Sequence, residues 1–80
     1  MEEIKKEYEE KNTAFLIKYA DVIKAIAIKN EKDLGVGADM LKAVARGNEE
    51  YGKDIEINLE ELKADYEELE NLSKKINEGA

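Results

Sequence analysis

The chain contains no cysteine and no histidine. Together those absences remove disulfides, thiolate nucleophiles, imidazole acid–base chemistry, haem ligation and the usual zinc sites. The expectation is a protein that is not an enzyme and holds neither cofactor nor metal. Proline is missing as well, so no helix interior is interrupted by that residue. Long apolar runs are also missing. The least charged stretch, 14–28, is shorter than the roughly 20 residues that span a bilayer, and its three charges lie in its interior. Charges in Met1-Glu2-Glu3-Ile4-Lys5-Lys6 occupy the place where a secretory signal turns apolar. A cytoplasmic protein with no membrane segment is expected.

What the sequence has is charge and helical rhythm. Of its 80 residues, 41% are charged and five are glycine, a composition that suits a helical protein. Eighty residues make one domain, 1–80, and a chain so short buries only about 60% of its unfolded surface. The stretch 14–28 organises the rest: Lys18, Asp21 and Lys24 are its only charges and form one narrow stripe. Most of the circumference of such a helix, about 22 Å long, needs apolar company.

Ile4, Tyr8, Phe15, Tyr19, Val22 and Ile26 recur at threes and fours once Asn12 is counted in the stripe, which predicts a first long helix over 2–29. Asn12 is then either a register-setting seam residue or a solvated position near the helix end. Turn chemistry at 30–37 ends that helix and reverses the chain. Ala38, Met40, Leu41, Val44 and Ala45 predict a shorter second helix over 38–51, continued past Gly47 because Val44, Asn48 and Tyr51 keep the spacing. Ile55 and Ile57 alternate like a short strand, but no second strand exists to pair with it, so 52–57 is read as an extended connector. Asn58 with Glu61 resembles a capping box and starts a third helix over 59–77, in which Leu59, Leu62, Tyr66, Leu69, Leu72 and Ile76 face inward. The expected architecture is all-α, a three-helix bundle of long, short and long helices. The four tyrosines fall on or beside these stripes, where a ring can be buried and its hydroxyl kept wet.

The net charge of −7 sits in one place, since 54–70 carries eight acids against the single Lys63. Such a balance argues against docking on nucleic-acid phosphates or an anionic membrane and leaves a basic protein surface as a possible partner. Glu56, Glu60, Glu61, Glu67, Glu68 and Glu70 are the candidate acidic partner face. One reading has the acidic third helix imitate nucleic-acid phosphates and so inhibit a nucleic-acid-binding protein. A plainer one has the acids complement the helix dipole, with Lys63/Glu67 and Glu70/Lys74 as surface pairs.

Three known patterns bear on the turn region. A calcium loop over 30–41 fails because Lys32, Leu34 and Leu41 stand at ligand positions. A dinucleotide loop at Gly35-Val36-Gly37 fails because Met40 replaces its third glycine and no strand precedes it. Leu34-Gly35-Val36-Gly37 followed by Met40-Leu41 and Val44 is similar to the turn and second helix of a helix-turn-helix unit, although Glu31 replaces the small residue usual four before the glycine. That resemblance implies a minimal DNA-binding regulator using residues 34–46, which would need a dimer and a basic face.

Apolar excess carries the main functional expectation. Phe15, Leu16, Ile17, Tyr19, Ile23, Ile26 and Ile28 surround the first helix, more than two short partners readily cover. They are the candidate self-association residues of a homodimer. The reading is a small acidic helical interaction module, an inhibitor or adaptor that binds a protein partner, itself, or both.

Overall fold

A segment with apolar residues on nearly every side has to be covered from more than one direction, and the chain achieves this by dividing it. The computed structural model describes residues 2–31 and 34–79. Over these it is all-helical: α1 (Glu2–Lys18), α2 (Ala20–Lys29), α3 (Leu34–Ala45) and α4 (Leu59–Glu78), with a 3₁₀ turn at Glu49–Gly52 and no strand. Where periodicity predicts three helices there are four, because the expected helix over 2–29 breaks at Tyr19. That residue leaves the α region, with φ −105° and ψ 19°. Its N–H still donates to the Phe15 carbonyl at 3.1 Å, and its carbonyl accepts from Ile23 N–H at 2.8 Å. The four-residue repeat therefore survives the break, which is why the sequence pattern does not reveal it.

Neither proline nor glycine causes this interruption; the tyrosine ring is held by what surrounds it. It lies 5.0 Å from the Phe15 ring at a tilt of 54°, and its hydroxyl donates to Asp65 on α4. Beyond the break the two halves take different partners. α1 runs antiparallel along α4, whereas α2 packs on α3, and α3 also reaches α4. Where these layers meet, Ile26, Leu41, Val44 and Leu62 are sealed from solvent, with Phe15, Tyr19, Ile23, Met40, Tyr66 and Leu69 around them. The α1–α4 hairpin extends past the shorter pair, giving a body of 39 × 22 × 18 Å.

The turn is narrower than 30–37, because α3 already begins at Leu34. Lys32 and Asp33 of the expected turn lie outside the described residues. Glu31 has φ 56°, and the Asn30 amide donates to the Ile26 carbonyl at 2.9 Å, closing the end of α2. Gly37 is not a turn residue. It allows α3 to lie directly on α2: a Cβ there would stand 2.6 Å from the Ile23 carbonyl oxygen and 2.9 Å from the Ala27 Cβ.

The second helix stops before Gly47 instead of continuing to Tyr51. Gly47 has φ 113°, its N–H donates to the Val44 carbonyl, and Asn48 N–H donates to the Ala43 carbonyl, both at 3.0 Å. Those two bonds make the glycine-terminated C-cap that satisfies the last free carbonyls of a helix. After the 3₁₀ turn, the alternation of Ile55 and Ile57 has a simple cause. Both are half-buried against the core with Leu59, while Glu56 between them is exposed. Asn58 caps α4 as expected, its Oδ1 accepting from Glu61 N–H at 3.1 Å. The Glu61 carboxylate turns to Lys18 on α1.

Replacing Gly37 with alanine tests the close approach of α2 and α3. Alanine gains up to about 1 kcal/mol in helix propensity, but the clash with a backbone oxygen costs roughly 1–3 kcal/mol. The expected result is a lower urea midpoint at an unchanged slope. A midpoint equal to or above wild type would show that the helices do not touch there.

Candidate functional site

The acidic run of α4 first serves the fold. Glu61, Asp65 and Glu68 recur at four and three residues and so line one side of a helix. Opposite them α1 presents Lys11 and Lys18, seven apart. Lys11 pairs with Glu68 and, within its own helix, approaches Glu7 at 3.9 Å. Lys18 pairs with Glu61 and donates to Asp65 Oδ2 at 2.8 Å. The Tyr19 hydroxyl donates to the same Oδ2 at 2.6 Å. These lysines are half in water, so each pair stabilises little alone. The buried Tyr19 ring with its satisfied hydroxyl holds the seam more firmly.

Hydrogen bonds set the protonation of this group. Those from Lys18 and then Tyr19 hold the Asp65 carboxyl below the usual carboxylate range. Bonds to Asp65 and Glu61 raise Lys18. Burial, then the bond to Asp65, pushes the Tyr19 phenol up to about 12. Asp65 lies outside the six glutamates of the expected acidic face. Its signal was present all the same, in the 61, 65, 68 spacing matched to lysines seven apart.

The six glutamates expected to make one acidic face fall in different places. Glu61 and Glu68 belong to the α1–α4 seam. Glu60 and Glu67, one heptad apart, are exposed, and Glu56 is exposed on the connector. Glu70 is half-buried and lines a cleft. Neither Lys63/Glu67 nor Glu70/Lys74 forms an ion pair among the described residues.

That cleft, about 480 Å³, opens between α1, α3 and α4 and gathers charges of both signs: Asp39 and Lys42 from α3, Arg46 just past its end, and Glu70 and Lys74 from α4. Tyr8 and Asn12 of α1 form another wall. Arg46 is already engaged. Its Nε and Nη2 donate to the Tyr66 hydroxyl at 3.0 and 2.6 Å, and its guanidinium lies 5.4 Å from the centre of that ring. Asn12 is half-buried, with an Oδ1 shielded from solvent and without a hydrogen-bond partner among the described residues. Two tyrosines, Tyr19 and Tyr66, are core residues whose hydroxyls find polar partners; Tyr8 and Tyr51 are half-buried against the core.

The seven apolar residues assigned to self-association divide sharply. Phe15, Tyr19, Ile23 and Ile26 are buried in the chain's own core, and Leu16 is half-buried against it. Ile17 and Ile28 are left, 71% and 68% exposed. Ile17 is on α1 and Ile28 on α2, at helical spacing from Asp21 and Lys24, which are exposed as well.

The helix-turn-helix register is not kept, because the residues read as its turn, 34–37, form the first turn of α3. Its two cations, Lys42 and Arg46, line the cleft beside Asp39 and Glu70 instead of a basic face. Among the described residues no three acidic side chains gather as a metal-ligand group, and no helix is long and apolar enough to cross a membrane. Comparison of the chain with protein families, with curated proteins and with solved structures finds no match.

The Tyr19–Asp65–Lys18 group predicts how stability responds to pH. A phenol raised from about 10 unfolded to about 12 folded favours the protonated, folded state. Its contribution, on the order of 2 kcal/mol, is full below pH 10 and is lost as pH rises toward 12. A lowered Asp65 acts oppositely, contributing above the unfolded carboxylate value and losing it as pH falls through the folded one. Urea midpoints measured against pH should therefore show a shallower alkaline decline in Tyr19→Phe and a shallower acid decline in Asp65→Asn. Slopes identical to wild type in both variants would remove the group from the stability account.

Proposed function

We propose that this chain is a non-enzymatic helical interaction module that pairs with itself through the outer face of α1 and α2 and acts on other proteins as an inhibitor or adaptor, by occupying a surface. The observation behind this reading is the exposure of Ile17 and Ile28 over a core that is already closed beneath them. Neither side chain contributes to that core, and each presents a β-branched apolar surface to water. Single exposed apolar residues are common. Two on one stripe, separated by an acid and a base, form a surface with both anchoring and orienting groups.

The test is absolute mass by light scattering over a dilution series. Wild type is expected to move from dimer toward monomer on dilution. Ile17→Asp and Ile28→Asp should each remain monomeric with unchanged helical circular dichroism, and because both positions are exposed their stability should stay within about 0.5 kcal/mol of wild type. A folded wild-type chain that is monomeric at every concentration would overturn the reading.

A further inference from the structure

The outer face of α1 and α2 carries a pattern for which the fold of one chain has no use. Ile17, Asp21, Lys24 and Ile28 are all exposed and follow one another at spacings of four, three and four. This is the rhythm of a two-helix seam. It passes through the break at Tyr19 because the backbone bonds on either side, Tyr19 N–H to Phe15 and Ile23 N–H to Tyr19, keep the four-residue repeat. Asp21 and Lys24 enter no ion pair among the described residues.

The chemistry of the stripe is as regular as its spacing. About the peptide bond joining Val22 and Ile23, Ile17 mirrors Ile28, Asp21 mirrors Lys24, and Ala20 mirrors Ala25. Two-fold symmetric contacts demand this relation, since in them residue i meets residue j while j meets i. Building on the self-association argued above, we propose that a second copy of this chain binds the stripe antiparallel, with Ile17 against the second copy's Ile28 and Asp21 against its Lys24.

Charge decides the direction. Parallel, in-register pairing would set Asp21 on Asp21 and Lys24 on Lys24, two repulsions in the middle of the seam. Reversing one helix converts both into attractions. The isoleucine pairs then flank the charged centre at both ends. Ala20, exposed, and Ala25, half-buried, are small enough to let the helices approach. The stripe covers only about 17 Å of helix, little beside the surface that permanent interfaces bury. The dimer is accordingly one that forms and dissociates with concentration.

The experiment is sedimentation equilibrium on the full chain and four variants, each checked for helix content. Asp21→Lys and Lys24→Asp singly place like charges opposite one another and should each weaken dimerisation at least about tenfold. Asp21→Lys combined with Lys24→Asp restores opposite charges in this register and should recover affinity to within about threefold of wild type. Asp21→Asn, a change with little bearing on folding, should fall between wild type and Asp21→Lys. A combined variant as weak as the single ones, or single variants as tight as wild type, overturns the register and leaves self-association standing. A folded wild-type chain that never dimerises removes both.

Discussion

The architecture depends on where Tyr19 is anchored. Its ring belongs to the core beside Phe15, its hydroxyl to Asp65 on α4, and its backbone to neither of the helices it joins. A straight helix over 2–29 would offer one buried stripe to one set of neighbours. Broken at this point, the same residues face α4 below the tyrosine and α3 above it, so an apolar segment that a small domain could hardly cover from one side is covered from two. Asp65 makes the arrangement specific, because its Oδ2 takes both the tyrosine hydroxyl and the Lys18 ammonium, fixing α1 along α4 in one register. Phe15 adds a third contact by tilting against Tyr66, 6.1 Å away, so that aromatic packing and the polar link point to the same alignment.

The charge distribution looks different once the helices are in place. In the sequence the acids of 54–70 form an uninterrupted excess, but in space α1 draws three of them into its seam and the α3 cleft takes another. Four remain outward: Asp54, which pairs with Lys29, and Glu56 before α4, and Glu60 and Glu67 on α4. The outer face of α1 and α2, which looked in sequence like surplus core, has instead the more distinctive arrangement of apolar and charged groups.

Much of the fold was legible because helix periodicity, capping and core stripes are local properties. Leu62, Tyr66, Leu69 and Leu72 recur where they are buried, and Asn58 caps the helix it was expected to cap. What escaped was decided by distant partners. The break at Tyr19 leaves no mark in the spacing, and nothing local to α4 shows that Glu61, Asp65 and Glu68 direct their charges across a seam to α1. Glycine misled twice, for opposite reasons. Gly37 suggested a turn, yet sits inside a helix because another backbone passes close to it; Gly47 suggested a tolerated helical position, yet ends the helix through a positive φ. Of the candidate surface, composition supplied the residues, and only the division into covered and exposed side chains picked out Ile17 and Ile28.

The two halves of the molecule also differ in how far along the chain their contacts reach. α2 and α3 are joined by only the four residues 30–33, whereas the seam between α1 and α4 brings together Lys11 and Glu68, 57 positions apart. Closing the short loop sacrifices little chain entropy and closing the long one sacrifices more. On loop-closure cost alone, the α2–α3 contact is therefore the less expensive of the two to form. A nascent chain accordingly cannot complete its core until α4 has been made as far as Leu69 and Leu72.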